Sequence, residues 1–260
     1  MKPGQKLWTR EELLLAITLY TELTFGQLHQ RNPKIIALAQ LLGRTPDAVS
    51  YKLNNFASID PDLPRKGMSN VSNLDRQVWA EFFADWNQAS YESAQVLAQK
   101  QHVELADTLT EADDALPALP PGTVKNQLVK VRVNQRFFRK AVLAAYNNTC
   151  CVTGLQQPGL LIAGHIRPWS EDEANRTNPR NGLALNGLHD KAFATGLFTI
   201  RPADYVIEVA PALQKPRPDA QPVADLLLRY HGQPLRLPAK PRFLPDPAFL
   251  AWHRAKWLTA

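Results

Sequence analysis

Residues 160–193 read LLIAGHIRPWSEDEANRTNPRNGLALNGLHDKAF, and this stretch decides the fold of the second half of the chain. Two short apolar runs, GLLIAGHI and NGLALN, are separated by a polar loop and predict two strands. The segment that follows, GLHDKAFATG, predicts a short helix that ends at Gly196. A hairpin with a helix packed across it would bring the ends of these three elements together.

Three side chains suited to phosphodiester chemistry lie on this framework. His165 ends the first strand, Asn181 enters the second, and His189 lies in the first turn of the helix. A histidine near neutral pKa can take a proton from water, and a second, neutral imidazole can hold a divalent metal that binds phosphate oxygens. The asparagine can brace the loop that carries the base, or supply its carbonyl oxygen to the metal. The three residues together predict phosphodiester hydrolysis.

At these residues the sequence resembles the HNH endonucleases, within the branch common in bacterial restriction enzymes. The resemblance is carried by CVTG, AGHIRPW and NPRNGLALNGLHDKAF, and it extends over roughly the second half of the chain. It implies a ββα-metal fold with His165 as general base, Asn181 as the middle residue of the motif and His189 as a metal ligand. It also implies double-stranded DNA as the substrate and a divalent metal ion as the cofactor, Mg²⁺ before Mn²⁺, Ni²⁺ or Zn²⁺.

Two positions depart from the pattern of this family. Many HNH enzymes carry a metal-binding Asp or His directly before the base, where this chain has Gly164, and related sequences often carry Asp where this chain has Ala194. Asp190 is a possible substitute, so the candidate metal ligands are His189, Asn181 and Asp190. The departures also favour a second hypothesis, a non-catalytic DNA-binding regulator with a degenerate HNH scaffold. A nuclease that acts on RNA or on single strands is a third.

The region before the motif is basic. The chain has a net charge of +6, and no acidic residue occurs between Asp114 and Glu171. Such a one-signed stretch creates a local positive field that suits a polyanion, although a solvated basic surface gives the same pattern. Arg167 could contact a phosphate or pair with a nearby carboxylate. The candidate DNA contacts in this half are Arg136, Arg139, Lys140 and Arg167.

The N-terminal third predicts helices, because apolar residues recur at helical spacing in EELLLAITLYTEL and KIIALAQLL. In LAQLLGRTPDAVSYKLNNF, Gly43 ends one helix and Thr45 can cap the next, as in a helix-turn-helix unit. Many helical pairs that bind nothing share this spacing, so both interpretations remain open. If the unit binds DNA, its candidate contacts are Arg44, Ser50 and Lys52, together with Asp47, Asn54 and Asn55.

These patterns predict an α+β protein in which an all-α, helix-turn-helix-like domain precedes an HNH nuclease domain. We expect the helical domain over residues 1–91, a linker over 92–124, where the sequence becomes acidic and proline-rich, and the nuclease domain over 125–260. One HNH site cuts one strand, so a double-strand break predicts a homodimer or a transient pairing of two copies on DNA. The absence of a long apolar run predicts a cytoplasmic protein without a membrane partner, and no small-molecule cofactor is expected.

Overall fold

The computed structural model describes residues 6–63, 70–109, 125–238 and 240–258. The chain divides into two compact units, Met1–Phe137 and Phe138–Ala260. The described part of the first unit is helical, whereas the second combines helices with short strands. The predicted α+β class, with helices first and a small mixed domain second, is therefore confirmed.

The helices of the first unit begin and end at residues with clear capping signals. Thr9 forms a capping box with Glu12, and Thr45 accepts the backbone N–H of Ala48. Gly43, with φ of +58°, adopts the left-handed conformation that ends the preceding helix. The helices are α1 (Arg10–Thr21), α2 (Pro33–Leu42), α3 (Pro46–Ile59), α4 (Asn73–Ala84), α5 (Trp86–Gln101) and the first part of α6 (Lys125–Ala145).

Apolar side chains from these helices form the core of the first unit. Leu13 and Ile17 of α1, Ile35 of α2, Leu53 of α3 and Phe82 of α4 are all completely buried. Burial of each such side chain contributes about 1.5–3 kcal/mol relative to its exposure. The tight turn between α2 and α3 therefore follows from packing and capping alone, and its presence does not by itself indicate DNA binding.

Arg44 and Lys52, two of the predicted DNA contacts, lie in buried ion pairs. A guanidinium nitrogen of Arg44 lies 2.6 Å from a carboxylate oxygen of Glu12, and the two side chains are only 6% and 4% exposed. The ammonium of Lys52 lies 2.8 and 2.9 Å from the two carboxylate oxygens of Asp75, which is completely buried. Breaking a buried pair costs about 3–5 kcal/mol. The ion pairs count against direct phosphate contacts by Arg44 and Lys52, because each cation already has a buried carboxylate partner, and a role in DNA binding stays a prediction.

Ser50, the third predicted contact of this unit, donates its hydroxyl to the carbonyl of Leu28 at 2.7 Å. The exposed residues of α3 include Asp47 and Tyr51. Lys52 is the only basic residue of this helix, which is described along its whole length, so the exposed surface of α3 carries no cation. That surface is poorly suited to phosphate contacts and favours the interpretation of α2 and α3 as a packing pair.

The second unit contains the predicted order of strand, loop, strand and helix. Strands β1 (Leu161–His165) and β2 (Gly182–Asn186) pair antiparallel, with His165 opposite Gly182. A second antiparallel pair joins β3 (Phe198–Ile200) and β4 (Ile207–Val209). After β2 the elements are α7 (Gly187–Ala194), β3 (Phe198–Ile200), β4 (Ile207–Val209), α8 (Pro211–Gln214), α9 (Gln221–Leu228) and α10 (Pro247–Leu258).

The last part of α6 packs directly against the hairpin. A Cβ atom at Gly182 would overlap Val142 and would come within 2.9 Å of Phe138. Only glycine permits this close approach of the helix to β2. The contact brings Phe138 to the end of β1, where the predicted base lies.

The predicted domain boundaries remain a prediction. Helix α5 runs from residue 86 to residue 101, across the predicted end of the helical domain at residue 91, and residues 110–124 of the predicted linker lie outside the described residues. Cys150 and Cys151 are buried free thiols. Within the described ranges, no helix has both the length and the apolar character needed to span a membrane.

Candidate active site

His165 is held at the end of β1 in one orientation. Its Nε2 lies 2.9 Å from the carbonyl oxygen of Arg176, and one face of its ring stacks on Phe138 with centroids 3.8 Å apart. The rings of His165 and Trp169 lie nearly perpendicular to each other, with centroids 5.6 Å apart. Because a carbonyl oxygen can only accept, the neutral imidazole carries its proton on Nε2 and donates it to Arg176. The lone pair is therefore on Nδ1, which can accept a proton from another molecule.

Burial lowers the pKa of His165 to about 4, because the charged imidazolium loses its hydration, and the hydrogen bond to Arg176 opposes this shift only in part. The ring is therefore neutral at physiological pH. A neutral ring is the form that can act as a general base.

His165 and His253 should make the second unit sensitive to acid. Burial also lowers the pKa of His253 to about 4, below the ordinary value of 6.5. As the pH falls from 6.5 to 4, the unfolded chain binds more protons than the folded one, so stability falls by up to about 1.4 kcal/mol per pH unit for each histidine. We expect urea unfolding at several pH values to show this slope and His165→Gln to reduce it. An equal slope in both proteins would contradict the lowered pKa of His165.

Asn181 closes the loop between the two strands. Its side-chain oxygen accepts the backbone N–H of Arg167 at 2.8 Å, and its amide nitrogen donates to the carbonyls of Arg167 and Asn175 at 3.1 and 3.3 Å. The residue is completely buried, and its own carbonyl accepts the N–H of Ile166. The amide group is thus fully used in holding the loop that follows His165.

We expect Asn181→Ala to destabilise the second unit by about 2–4 kcal/mol, because it leaves the backbone N–H and carbonyl of Arg167 without partners and removes one of the two donors to the carbonyl of Asn175. Urea unfolding monitored by tryptophan fluorescence would measure the change. Asn178→Ala is a suitable control, since Asn178 lies in the same loop, is less buried and should cost only about 1 kcal/mol. Equal unfolding midpoints for Asn181→Ala and the unaltered protein would show that these hydrogen bonds do not hold the loop.

His189 is oriented by the residue that caps its helix. The side-chain oxygen of Asn186 accepts the backbone N–H of His189 at 2.9 Å and lies 2.9 Å from its Nδ1. Since a backbone N–H donates to this atom, it is the amide oxygen, and Nδ1 must therefore carry the ring proton. The lone pair is on Nε2, which is buried and has no hydrogen-bond partner among the described residues. A metal-binding histidine has this arrangement, with one nitrogen donating to oxygen and the other free to coordinate.

Asp190 occupies space beside Gly164. A Cβ atom built on Gly164 would overlap a carboxylate oxygen of Asp190. Asp190 is half-buried and forms no hydrogen bond or ion pair with another residue in the described part of the chain. Burial raises its pKa, and the charge of Lys191 opposes this only in part. The carboxylate therefore fills the place where a side chain directly before the base would lie.

Two residues beyond the hairpin and its helix also approach His189. The ring of Tyr230 meets it edge-on with centroids 5.4 Å apart, and the guanidinium of Arg229 lies 5.2 Å from the centre of the Tyr230 ring. Burial lowers the pKa of His189, and the positive charge of Arg229 lowers it further. Both effects keep the imidazole neutral and available as a ligand.

The structure brings together some of the predicted site residues and separates others. Gly164 at the end of β1 contacts Asp190 in the first turn of α7, so the base and the candidate ligands lie on neighbouring elements. Ala194 lies exposed at the end of α7. No group of three or more His, Cys, Asp or Glu side chains that could hold a metal ion is found within the described ranges.

The predicted DNA contacts of this region differ in their surroundings. Arg167 pairs with Asp172 at 3.0 Å, which is one of the alternatives that the sequence left open. In the first unit, Arg136 donates to a backbone carbonyl at 2.5 Å. Arg139 is half-buried, and burial lowers its pKa, whereas Lys140 is exposed. A role for Arg139 and Lys140 in DNA binding remains a prediction.

The sequence reasoning missed Asn186, Phe138 and the pair formed by Arg229 and Tyr230 as parts of the site. Asn186 had a usable signal, because an asparagine three residues before His189 is an N-cap whose oxygen lies within reach of that side chain. The other three had none, since they lie outside the motif and reach it only through the tertiary fold.

The groups at this site fit metal-assisted hydrolysis. His165 can accept a proton, and the imidazole of His189 and the carboxylate of Asp190 can bind an ion.

Comparison with known families is more specific, because residues 150–201 match the family model described as HNH endonuclease. The matched segment is about a fifth of the chain and contains His165, Asn181 and His189. No curated protein matches the chain. The HNH resemblance is thus confirmed for this segment, and it indicates a nuclease with DNA as substrate and, as is general for HNH nucleases, a divalent metal ion.

Proposed function

We propose that this protein is a metal-dependent DNA endonuclease of the restriction type, which hydrolyses phosphodiester bonds. The proposal depends mainly on the tautomers of two histidines, which carry the ring proton on opposite nitrogens. Nε2 of His165 donates to a carbonyl and leaves Nδ1 as a proton acceptor, whereas Nδ1 of His189 donates to an amide oxygen and leaves Nε2 as a metal ligand. One ring is thus prepared for base catalysis and the other for coordination.

His165 acts as the general base in this mechanism. Its Nδ1 removes a proton from a water molecule as the water oxygen attacks phosphorus, the bond from phosphorus to the leaving oxygen breaks with its electron pair going to that oxygen, and the ring becomes an imidazolium. The bond from Nε2 to the carbonyl of Arg176 stabilises this charged form, and stacking on Phe138 keeps the ring in one plane. Asn181 is a positioning residue rather than a ligand, because its oxygen already accepts the N–H of Arg167.

His189 and Asp190 are the proposed metal ligands. The orphaned Nε2 of His189 and the carboxylate of Asp190, which lacks a hydrogen-bonding partner among the described residues, fit a divalent ion. When bound, such an ion, whether Mg²⁺, Mn²⁺, Ni²⁺ or Zn²⁺, stabilises the negative charge that develops on the phosphate and the leaving oxygen.

A second candidate function is a DNA-binding regulator that retains a degenerate HNH scaffold. The observation that favours it is the lack, within the described residues, of a group of three metal-binding side chains. Ala194, which stands where related sequences often carry Asp, points in the same direction. This candidate binds DNA without turnover in any divalent metal.

The two candidates differ in a direct assay of the full chain. Supercoiled plasmid, phage DNA and methylated genomic DNA would each be incubated with the protein in Mg²⁺, Mn²⁺, Ni²⁺ or EDTA. The endonuclease nicks at least one substrate in a metal and none in EDTA, and linear product would support the proposed homodimer, in which each copy cuts one strand. Binding in a gel shift without cleavage in any metal would favour the regulator, and cleavage of RNA or single strands alone would overturn the choice of duplex DNA.

A further inference from the structure

Arg229 and Tyr230, which follow α9, lie outside the segment that matches the HNH family and yet approach the proposed metal ligand. The Tyr230 ring meets His189 edge-on at 5.4 Å, and the Arg229 guanidinium lies over that same tyrosine ring at 5.2 Å. The contacts form a continuous series from the imidazole through the phenol ring to the cation. The charge of Arg229 also acts on His189.

The position of this segment is fixed by the fold. The backbone N–H of Tyr230 donates to Leu227, and Nδ1 of His231 accepts the N–H of Val209 in β4 at 3.1 Å. Gly232, with φ of +75°, turns the chain so that its own N–H donates to Ile207. Arg229 is thus attached to a segment that is hydrogen-bonded to a strand of the second unit.

Arg229 differs from most arginines around it because it has no carboxylate partner among the described residues. It is exposed, and the one hydrogen bond that its side chain makes to a described residue is a long contact of 3.4 Å to the carbonyl of Leu226. Six other arginines of the second unit pair with acidic side chains, namely Arg167, Arg176, Arg180, Arg201, Arg217 and Arg254. The donors of Arg229 are therefore available to a ligand that approaches from solvent.

A free cation beside a metal ligand is unfavourable unless an anion lies between the two positive charges. A divalent ion on His189 would be repelled by the positive charge of Arg229. A phosphate that touches both converts this repulsion into two attractions, and the planar guanidinium fork matches two phosphate oxygens. The arrangement thus suits a phosphodiester.

We propose that Arg229 binds a phosphate of the DNA backbone beside the metal site and, with Tyr230 supporting it, completes the site from outside the HNH segment. This inference depends on the proposed function for its substrate. The phosphate contact itself does not require turnover, so it can be tested by binding.

The first experiment measures the binding of a DNA duplex in EDTA as a function of salt concentration, with His165→Ala as the parent protein. Arg229→Ala should weaken binding and reduce the slope of log affinity against log salt by about one, because one phosphate contact is lost. Arg229→Lys should keep the slope. Arg217→Ala, at an exposed arginine beside Asp219 in the same unit, is the matched control and should leave the slope unchanged.

The second experiment measures cleavage with His165 intact. Arg229→Ala should lower kcat at least tenfold, with partial recovery in Arg229→Lys, because the guanidinium stabilises charge that develops on the phosphate. If the unaltered enzyme cuts DNA while Arg229→Ala changes neither kcat nor the salt slope, the inference fails and the nuclease stands. If no metal supports cleavage but the slope still falls by about one in Arg229→Ala, the nuclease fails and the phosphate contact stands. Absence of DNA binding by the parent would overturn the inference.

Discussion

Replacement of His165 by alanine should abolish cleavage of plasmid DNA while DNA binding is retained. The expected loss of rate is about 10²–10⁴-fold, the contribution that a positioned general base makes. The physical reason is that Nδ1 of His165 is the proton acceptor prepared by the hydrogen bond from Nε2 to Arg176. The imidazole lies against Phe138, so its removal deletes the base without removing the helix that supports it.

The measurement is the initial rate of plasmid nicking in the metal that best supports the unaltered protein. His29→Ala is the matched control, because His29 is exposed and belongs to the first unit. Circular dichroism and the gel-shift affinity would show that His165→Ala remains folded and binds. A variant that cuts at the unaltered rate would mean that another group, or water alone, takes the proton.

The second large effect is expected at Gly164. A methyl group there would overlap the carboxylate oxygen of Asp190, so Gly164→Ala should displace a proposed ligand without removing it. Loss of outer partners of a metal ligand typically costs 10–100-fold, so displacement of a ligand should lower metal affinity by at least about that factor. Calorimetric titration with Mn²⁺ and the metal dependence of nicking would measure this.

A change of the ligand's position offers a sharper version of the same test. Asp190→Ala alone should lose metal binding, and the double variant Gly164→Asp with Asp190→Ala should recover part of it, because the carboxylate then reaches the same space from β1. Gly159→Ala is the matched control, since a Cβ there meets nothing within 4 Å. If Gly164→Ala and Asp190→Ala both bind Mn²⁺ as tightly as the unaltered protein, Asp190 is not a ligand.

Local patterns in the sequence were sufficient for the framework of the site. The apolar runs and the polar loop predicted β1 and β2, and the segment GLHDKAFATG predicted the helix α7. The tautomers of His165 and His189 could not be predicted from these local patterns. His165 reaches a carbonyl that lies 11 residues away in a loop without regular structure, so the tautomer depends on how that loop folds.

The same limit applies to the ion pairs of Arg44 and Lys52. Basic residues are usually exposed, and Arg44, in the turn after α2, and Lys52, in α3, would be available to DNA if no partner were near. Their partners, Glu12 and Asp75, lie 32 and 23 residues away on other helices, and only the packing of those helices brings the opposite charges together. The charge of Arg44 and Lys52 therefore suggested exposed side chains, whereas the fold buries both.

One oxygen atom of Asn186 serves two purposes, since it caps α7 and fixes the proton of His189. Formation of the first helical turn and orientation of the ligand are consequently a single event. The unfavourable entropy of fixing the imidazole is included in the free energy of folding and does not have to be overcome when an ion arrives. A protein built in this way should coordinate its metal without rearrangement, and any fraying of that turn would release the ligand together with the helix end.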